Sequence, residues 1–265
     1  MLTTILIGLL AGAHTSSWGM YKDAPHEGFT WPKYFRSAIV ATVISAVTYR
    51  FVQWDLVHDA GKRFVYFGLI YCLERAATEF WKYFIREEDQ SKYFIPMQFS
   101  VFGRVVRSRT ARLTAGAAYV AACLGILLLV IAIERASPDP TPLGTVLAIG
   151  GLGGWISAFG GAWKDAPKEG FQTLKFFRSP FIATVYAVLL SRLTDDLVLT
   201  TLAALGFTIA TTETYKTFFF PSKPRGKFAG MPVLFPDMLR KRQPFIALYA
   251  AIWLVVIVAW VMAAR

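Results

Sequence analysis

The chain has 265 residues, of which 55% are hydrophobic and only 17% charged, with a mean hydropathy of +0.45. That composition excludes an ordinary water-soluble fold. The net charge of +11 would suggest nucleic acid in a soluble protein, but in so apolar a chain it points to loops lying beside anionic lipid, with no nucleic-acid partner.

Apolar segments of about 20 residues, the length an α-helix needs to cross a bilayer, recur along the chain. They predict eight helices: M1 over about 2–20, M2 over 36–54, M3 over 62–85, M4 over 113–134, M5 over 144–163, M6 over 177–193, M7 over 196–219 and M8 over 244–263. The expected fold is all-α, a polytopic membrane protein of about eight transmembrane helices. Met1-Leu2-Thr3-Thr4-Ile5 lacks the basic start of a signal peptide and runs straight into M1. Within M1, His14 stands beside Thr15, Ser16 and Ser17 and reads as a hydrogen-bonded core histidine.

M1 leads into Lys22-Asp23-Ala24-Pro25-His26-Glu27-Gly28-Phe29, and the same octet, with Lys168 for His26, returns as Lys164-Asp165-Ala166-Pro167-Lys168-Glu169-Gly170-Phe171. Of the 22 residues from Lys22 to Val43, 14 are identical to those at 164–185, including Lys33, Phe35, Arg36 and Ser37 against Lys175, Phe177, Arg178 and Ser179. A match of that density is an internal duplication. Pro25 and Pro167, each followed by a glycine, predict a tight loop rather than helix. Ser179-Pro180 reads as an N-cap with proline at the first helical position of M6. That would place Arg178 at a helix amino end, where Lys164, Lys175 and Arg178, or Lys22, Lys33 and Arg36 in the first copy, could surround a phosphate or carboxylate. Asp23, Glu27, Asp165 and Glu169 could instead pin those cations, bind a cation themselves or act as the reactive groups.

Between M2 and M3, Asp55 or Asp59 suits a helix N-cap, as does the Thr194-Asp195-Asp196 run before M7. M3 carries Glu74, Arg75, Thr78, Glu79 and Lys82, and M7 carries Thr212, Glu213 and Lys216 in the matching pattern. Glu79 with Lys82, Glu213 with Lys216, and Arg75 with Glu79 have spacings that allow pairing on one helix face. Glu74 and Arg75 fall near mid-membrane, where each charge costs about 2.5–3.5 kcal/mol, which makes them pathway or ligand candidates by default. Cys72 and Cys123 lie in apolar segments and read as small hydrophobes. No P-loop, HExxH, GxSxG or dinucleotide fingerprint occurs, so no cofactor, metal or enzymatic class is named.

The inner loops at about 86–112 and 220–243 are basic and share a lysine–aromatic step, Lys92-Tyr93 and Lys227-Phe228. They are expected to lie on anionic inner-leaflet lipid. Asp139–Pro142 is a turn-rich link between two tandem four-helix repeats, 1–137 and 143–265, which an even helix count makes parallel. Of the 28 lysines and arginines, 21 fall on the loop side that carries both motif copies. That side is therefore cytoplasmic, with both termini outside the inner (cell) membrane. Gly8, Gly12 and Gly19 in M1 match Gly150, Gly154 and Gly161 in M5, a spacing that lets helices approach closely, so M1 and M5 are expected to meet at a pseudo-two-fold axis. Trp18, Trp31, Trp54, Trp81 and Trp163 read as interfacial belts. Three functions fit: a small-solute or ion transporter or channel, a membrane enzyme acting on a phosphorylated lipid, or an accessory subunit. Partners beyond the bilayer would be further copies of the chain or a larger membrane complex.

Overall fold

The computed structural model describes residues 1–139, 141–221 and 226–264. Pro140 of the Asp139–Pro142 link, Lys223 and Arg225 of the second long loop, and Arg265 lie outside the described residues. The apolar runs fold as helices: α1 (Leu2–Glu27), α2 (Trp31–Val52), α3 (Ala60–Phe80), α4 (Arg109–Ala136), α5 (Leu143–Ile149), α6 (Leu152–Glu169), α7 (Thr173–Leu190), α8 (Leu197–Phe218), the short α9 (Met238–Lys241) and α10 (Pro244–Ala263). A five-residue π turn, Trp81–Ile85, extends α3. A two-stranded ribbon, β1 (Ser100–Val101) and β2 (Arg104–Val105), interrupts the first long loop. Among the described residues, six helical stretches are long and apolar enough to cross a membrane: Trp31–Val52, Arg109–Ala136, Leu143–Glu169, Thr173–Leu190, Leu197–Phe218 and Met238–Ala263.

Helix starts follow the expected capping chemistry. Asp59 accepts from the Lys62 amide at 2.9 Å, and Asp196 from the Leu199 amide at 2.8 Å. Asp55 folds the turn before α3 by accepting from the Val57 and His58 amides. The centre of the bundle is α3, whose Val65, Tyr66, Ile70, Tyr71 and Glu74 have no exposed surface. The periphery is the reverse of a soluble protein. Over its 28 residues α4 buries only Arg112, Gly116 and Val130, and α10 only Tyr249, Ile252 and Val256. The outward faces, with Leu124 and Leu128 on α4 and Leu254 and Ile257 on α10, are apolar and exposed, as a lipid-facing surface must be.

Four of the six matched glycines, Gly8, Gly12, Gly150 and Gly154, pack closely, but not M1 against M5, while Gly19 and Gly161 have nothing within 4 Å of where a Cβ would be. A Cβ on Gly8 would lie 2.6 Å from Thr42 Cα and one on Gly12 2.4 Å from Ala38 Cα, so α1 seats on α2. A Cβ on Gly150 would lie 2.5 Å from Ala187 Cβ and one on Gly154 2.6 Å from Pro180 Cα, so the M5 segment seats on α7. Spacing announces a close approach without naming the neighbour, and each glycine helix meets the next helix along the chain. The closest central crossing is between α3 and α8, where a Cβ on Gly206 would fall 1.9 Å from the Gly68 carbonyl oxygen. M5 itself is broken into α5 and α6 at Gly150-Gly151.

The repeated octet is also helix rather than loop. α1 runs through Pro25 to Glu27 and α6 through Pro167 to Glu169. The stops are Gly28 (φ +73°, ψ 173°) and Gly170 (φ +78°, ψ 159°), in backbone conformations open essentially to glycine alone. Proline denies its helix one hydrogen bond, here to the Tyr21 carbonyl, and Arg242 Nη1 serves that carbonyl instead at 2.9 Å. The Pro25 carbonyl in turn accepts from the Leu234 and Phe235 amides at 3.0 Å each. Because Gly170 stops α6 late, α7 begins at Thr173 and Ser179-Pro180 lies inside it, not at its start.

The long loops fold over the ends of α1 and α6. The Phe94 amide donates to the Lys227 carbonyl at 2.8 Å, and the Trp163 indole to the Ser100 carbonyl at 2.8 Å. Tyr93, Met97 and Phe228 form a small apolar cluster between the two loops.

Candidate functional site

At the long-loop end of the bundle, α1, α3 and α8 bring their charges together. Lys22 on the last turns of α1 reaches Glu213 of α8 at 2.9 Å, and Lys216 reaches the same carboxylate at 3.3 Å. One turn along α3, Arg75 and Glu79 pair directly, Lys82 joins Glu79 at 3.0 Å, and Arg75 lies 3.9 Å from Glu74. Thr78 donates to the Glu74 carboxylate at 2.7 Å, leaving Glu74 Oε2 buried without a hydrogen-bond partner. All three pairings expected from helical spacing are formed. The Trp18 ring backs the cluster, with Lys22 Nζ 4.5 Å and Arg75 Cζ 5.3 Å from its centre. Trp18 is buried and so not part of an interfacial belt.

His14 sits deeper, hydrogen-bonded to the Tyr71 hydroxyl at 3.1 Å and stacked on Tyr249 at 4.1 Å. It is a core histidine, as its hydroxyl-bearing neighbours suggested.

The motif carboxylates are held by lysines from elsewhere. Lys227, in the second long loop, contacts Asp23 at 3.0 Å and Glu27 at 2.8 Å. Burial would pull the Lys227 ammonium toward neutrality, but the two carboxylates outweigh it and raise its pKa well above the usual lysine value. In the second copy, Lys175 binds Asp165 at 3.0 Å and Glu169 at 2.6 Å. The expected anion cradle of Lys164, Lys175 and Arg178 is therefore not assembled. Lys175 is committed to carboxylates, Lys164 lies over the Tyr83 ring at 5.2 Å, Arg178 lies over Tyr215 at 5.6 Å, and no helix begins at Arg178. Likewise Lys22 serves Glu213, and Lys33 stands 3.9 Å from Glu27.

What the fold builds instead is a cavity of about 140 Å³ between the end of α1, the start of α2, α3 and the two long loops. Its charged lining is Lys33, Arg36, Arg75, Lys82, Arg86 and Lys227 against Asp23, Glu27 and Glu88. Glu88, in the loop, bonds Arg86 at 2.6 Å and also pairs with Lys92. Burial pushes its carboxyl up, but the Lys92 hydrogen bond and both cations hold it below the usual range. Gly19 contributes open space on the α1 side, with nothing within 4 Å of where a Cβ would be. Among the described residues, no three His, Cys, Asp or Glu side chains gather as a metal site.

Lys227, Arg86, Trp18 and Trp81 were missed as site residues in the sequence. Only Lys227 carried a signal there, through the lysine–aromatic step it shares with Lys92. Comparison of the chain with protein-family models, curated proteins and solved structures found no match.

Proposed function

We propose that this protein is a small-solute or ion transporter, crossing the inner (cell) membrane eight times as two parallel four-helix units, 1–137 and 143–265, with the long loops inside and both termini outside. The observation that carries the transport reading is the cavity, whose lining runs from surface-loop residues Arg86, Glu88 and Lys227 to Arg75 in α3. Directly beside Arg75 stands Glu74, fully buried and short of one hydrogen-bond partner. A polar cavity ending at an intramembrane ion pair is how a translocation path reaches the bilayer interior.

Recurring contacts support the two-unit arrangement. Aligning Glu79 with Glu213 pairs Trp81 with Tyr215 and Cys72 with Gly206. Arg36 lies 5.6 Å from the Trp81 ring and its counterpart Arg178 5.6 Å from the Tyr215 ring. A Cβ on Gly206 would stand 3.0 Å from the Cys72 amide, so equivalent residues oppose each other where a pseudo-two-fold axis would pass. The two helices absent from the six apolar stretches, α1 and α3, are heavily buried. Protein, not lipid, surrounds them, which lets polar helices cross.

In proteoliposomes, Glu74→Gln is expected to abolish solute flux while leaving the thermal unfolding midpoint near that of the parent. Undiminished flux in a folded Glu74→Gln protein would overturn the role. A second reading, an accessory subunit, is favoured by the bridging of Asp165 and Glu169 by Lys175, which makes that motif copy a clasp between α6 and α7. Normal flux after Lys175→Met, in a protein of lowered stability, would assign that copy to folding alone.

A further inference from the structure

Arg36 differs from every other cation of the cavity. Lys33, Arg75, Lys82, Arg86 and Lys227 each face a carboxylate within 4 Å, whereas Arg36 faces none among the described residues. Among the described residues its close partner is the Trp81 ring, 5.6 Å from its Cζ, and its Nε is buried without a hydrogen-bond acceptor there. Arg86 leans on the same indole, 5.4 Å from the ring centre, and its Nε is also buried and unpartnered. A cation–π contact contributes about 0.5–2 kcal/mol, less than the several kcal/mol needed to remove a charge from water. A half-buried guanidinium with no anion among the described residues, opening into a cavity whose other cations are already paired with carboxylates, is a half-built ion pair.

We propose that the cavity binds a phosphate group through Arg36 and Arg86, with Lys82 and Arg75 supplying the deeper positive field. Phosphate fits better than a lone carboxylate because it offers enough oxygens for both guanidinium forks, which match them two at a time. The site belongs to the first unit alone. The residue five positions after Tyr215, where Arg86 follows Trp81, is Phe220, so the second unit has no second arginine there. The duplicated halves share an arginine-over-aromatic contact, and only the first adds a second arginine to the same ring. This deepens the transport reading by naming the solute class, and it rests on the cavity being the inner mouth of the path.

The test is calorimetric titration of the full-length protein in detergent with inorganic phosphate and, separately, with dioctanoyl phosphatidic acid. Inorganic phosphate is expected to bind saturably. Arg36→Gln should weaken it by about tenfold or more, which is about 1.4 kcal/mol, and Arg36→Lys by less. Where Arg36→Gln does not fold, Arg86→Gln carries the same expectation. Arginine-dependent binding of the lipid alone would keep the phosphate site and make its ligand a headgroup, overturning the free solute. Binding of neither, or binding indifferent to both arginine substitutions in folded protein, would overturn the site. Phosphate flux into proteoliposomes separates the two levels. Binding without flux defeats transport and leaves the site standing, and Glu74-dependent flux of another solute without phosphate binding does the reverse.

Discussion

Arg242 supplies to α1 the hydrogen bond that Pro25 cannot. Its guanidinium donates to the Tyr21 carbonyl and lies 4.1 Å over the Tyr21 ring. Removing it with Arg242→Met orphans a buried carbonyl and is expected to cost about 1–3 kcal/mol. Pro25→Ala restores an amide four residues after Tyr21, so Arg242→Met should cost clearly less in that background. Denaturation of the four proteins of this cycle in detergent checks it, and simple additivity would show that Arg242 acts elsewhere. At this scale, legibility depended on sequence distance. Arg75–Glu79, Glu79–Lys82 and Glu213–Lys216 were readable because helical geometry fixes them within one turn. Lys22–Glu213 and Lys227–Glu27, 191 and 200 positions apart, depend on which helices and loops become neighbours, and no local pattern encodes that. The same limit hid half of the contacts of Trp18 and Trp81: Arg75 and Arg36 reach them from other elements, whereas Lys22 and Arg86 lie four and five residues further along the same segment.

Helix pairs here are set by glycine more than by apolar burial, because lipid competes for the apolar faces as well as protein does. The sharpest case is Gly206, where any side chain must push α8 off the backbone of α3. Gly206→Ala is expected to destabilise by roughly 1–3 kcal/mol or more through overpacking. Gly19, on a helix but facing open space, should behave oppositely. Gly19→Ala removes a weak helix former worth about 1 kcal/mol and is expected to be neutral or stabilising. Thermal unfolding in one detergent compares them, and equal shifts would mean that the α3–α8 crossing is looser than its geometry. The four-residue glycine spacing told correctly that M1 and M5 are close-packed, but a spacing has no partner in it. The octet misled for a related reason. Proline and glycine together look like a loop, yet proline near a helix end needs only a substitute donor, and that donor lies 217 residues further along the chain in Arg242.

At the scale of the whole molecule, the bundle places its polar helices inside and its most apolar ones, α4 and α10, outside. A hydropathy count therefore undervalues the two helices that matter most to the site. α1, with 26 residues, is about 39 Å long, enough to span the bilayer. α3 with its π turn covers residues 60–85; Lys62 and Arg63 lie at its start beside the α2–α3 turn, and its other charges fall in the protein interior or at the long-loop end. If both cross, Val57 in the α2–α3 turn and Phe102 at the tip of the ribbon, both exposed, must lie on opposite faces of the membrane, and the N-terminus must share the face of Val57. In a Cys123→Ala background, Val57→Cys is expected to react with an impermeant maleimide from outside the cell. Phe102→Cys should react only after permeabilisation, and tags at both termini should be accessible from outside. Labelling of Val57→Cys and Phe102→Cys from one face would mean that α3 does not cross. An N-terminal tag on the Phe102 face would mean the same for α1. The first result would remove the cavity from the inner mouth of a path, because the Arg75–Glu79 pair on α3 would no longer lie within the thickness of the bilayer; the second would leave the cavity without a spanning α1 on one wall.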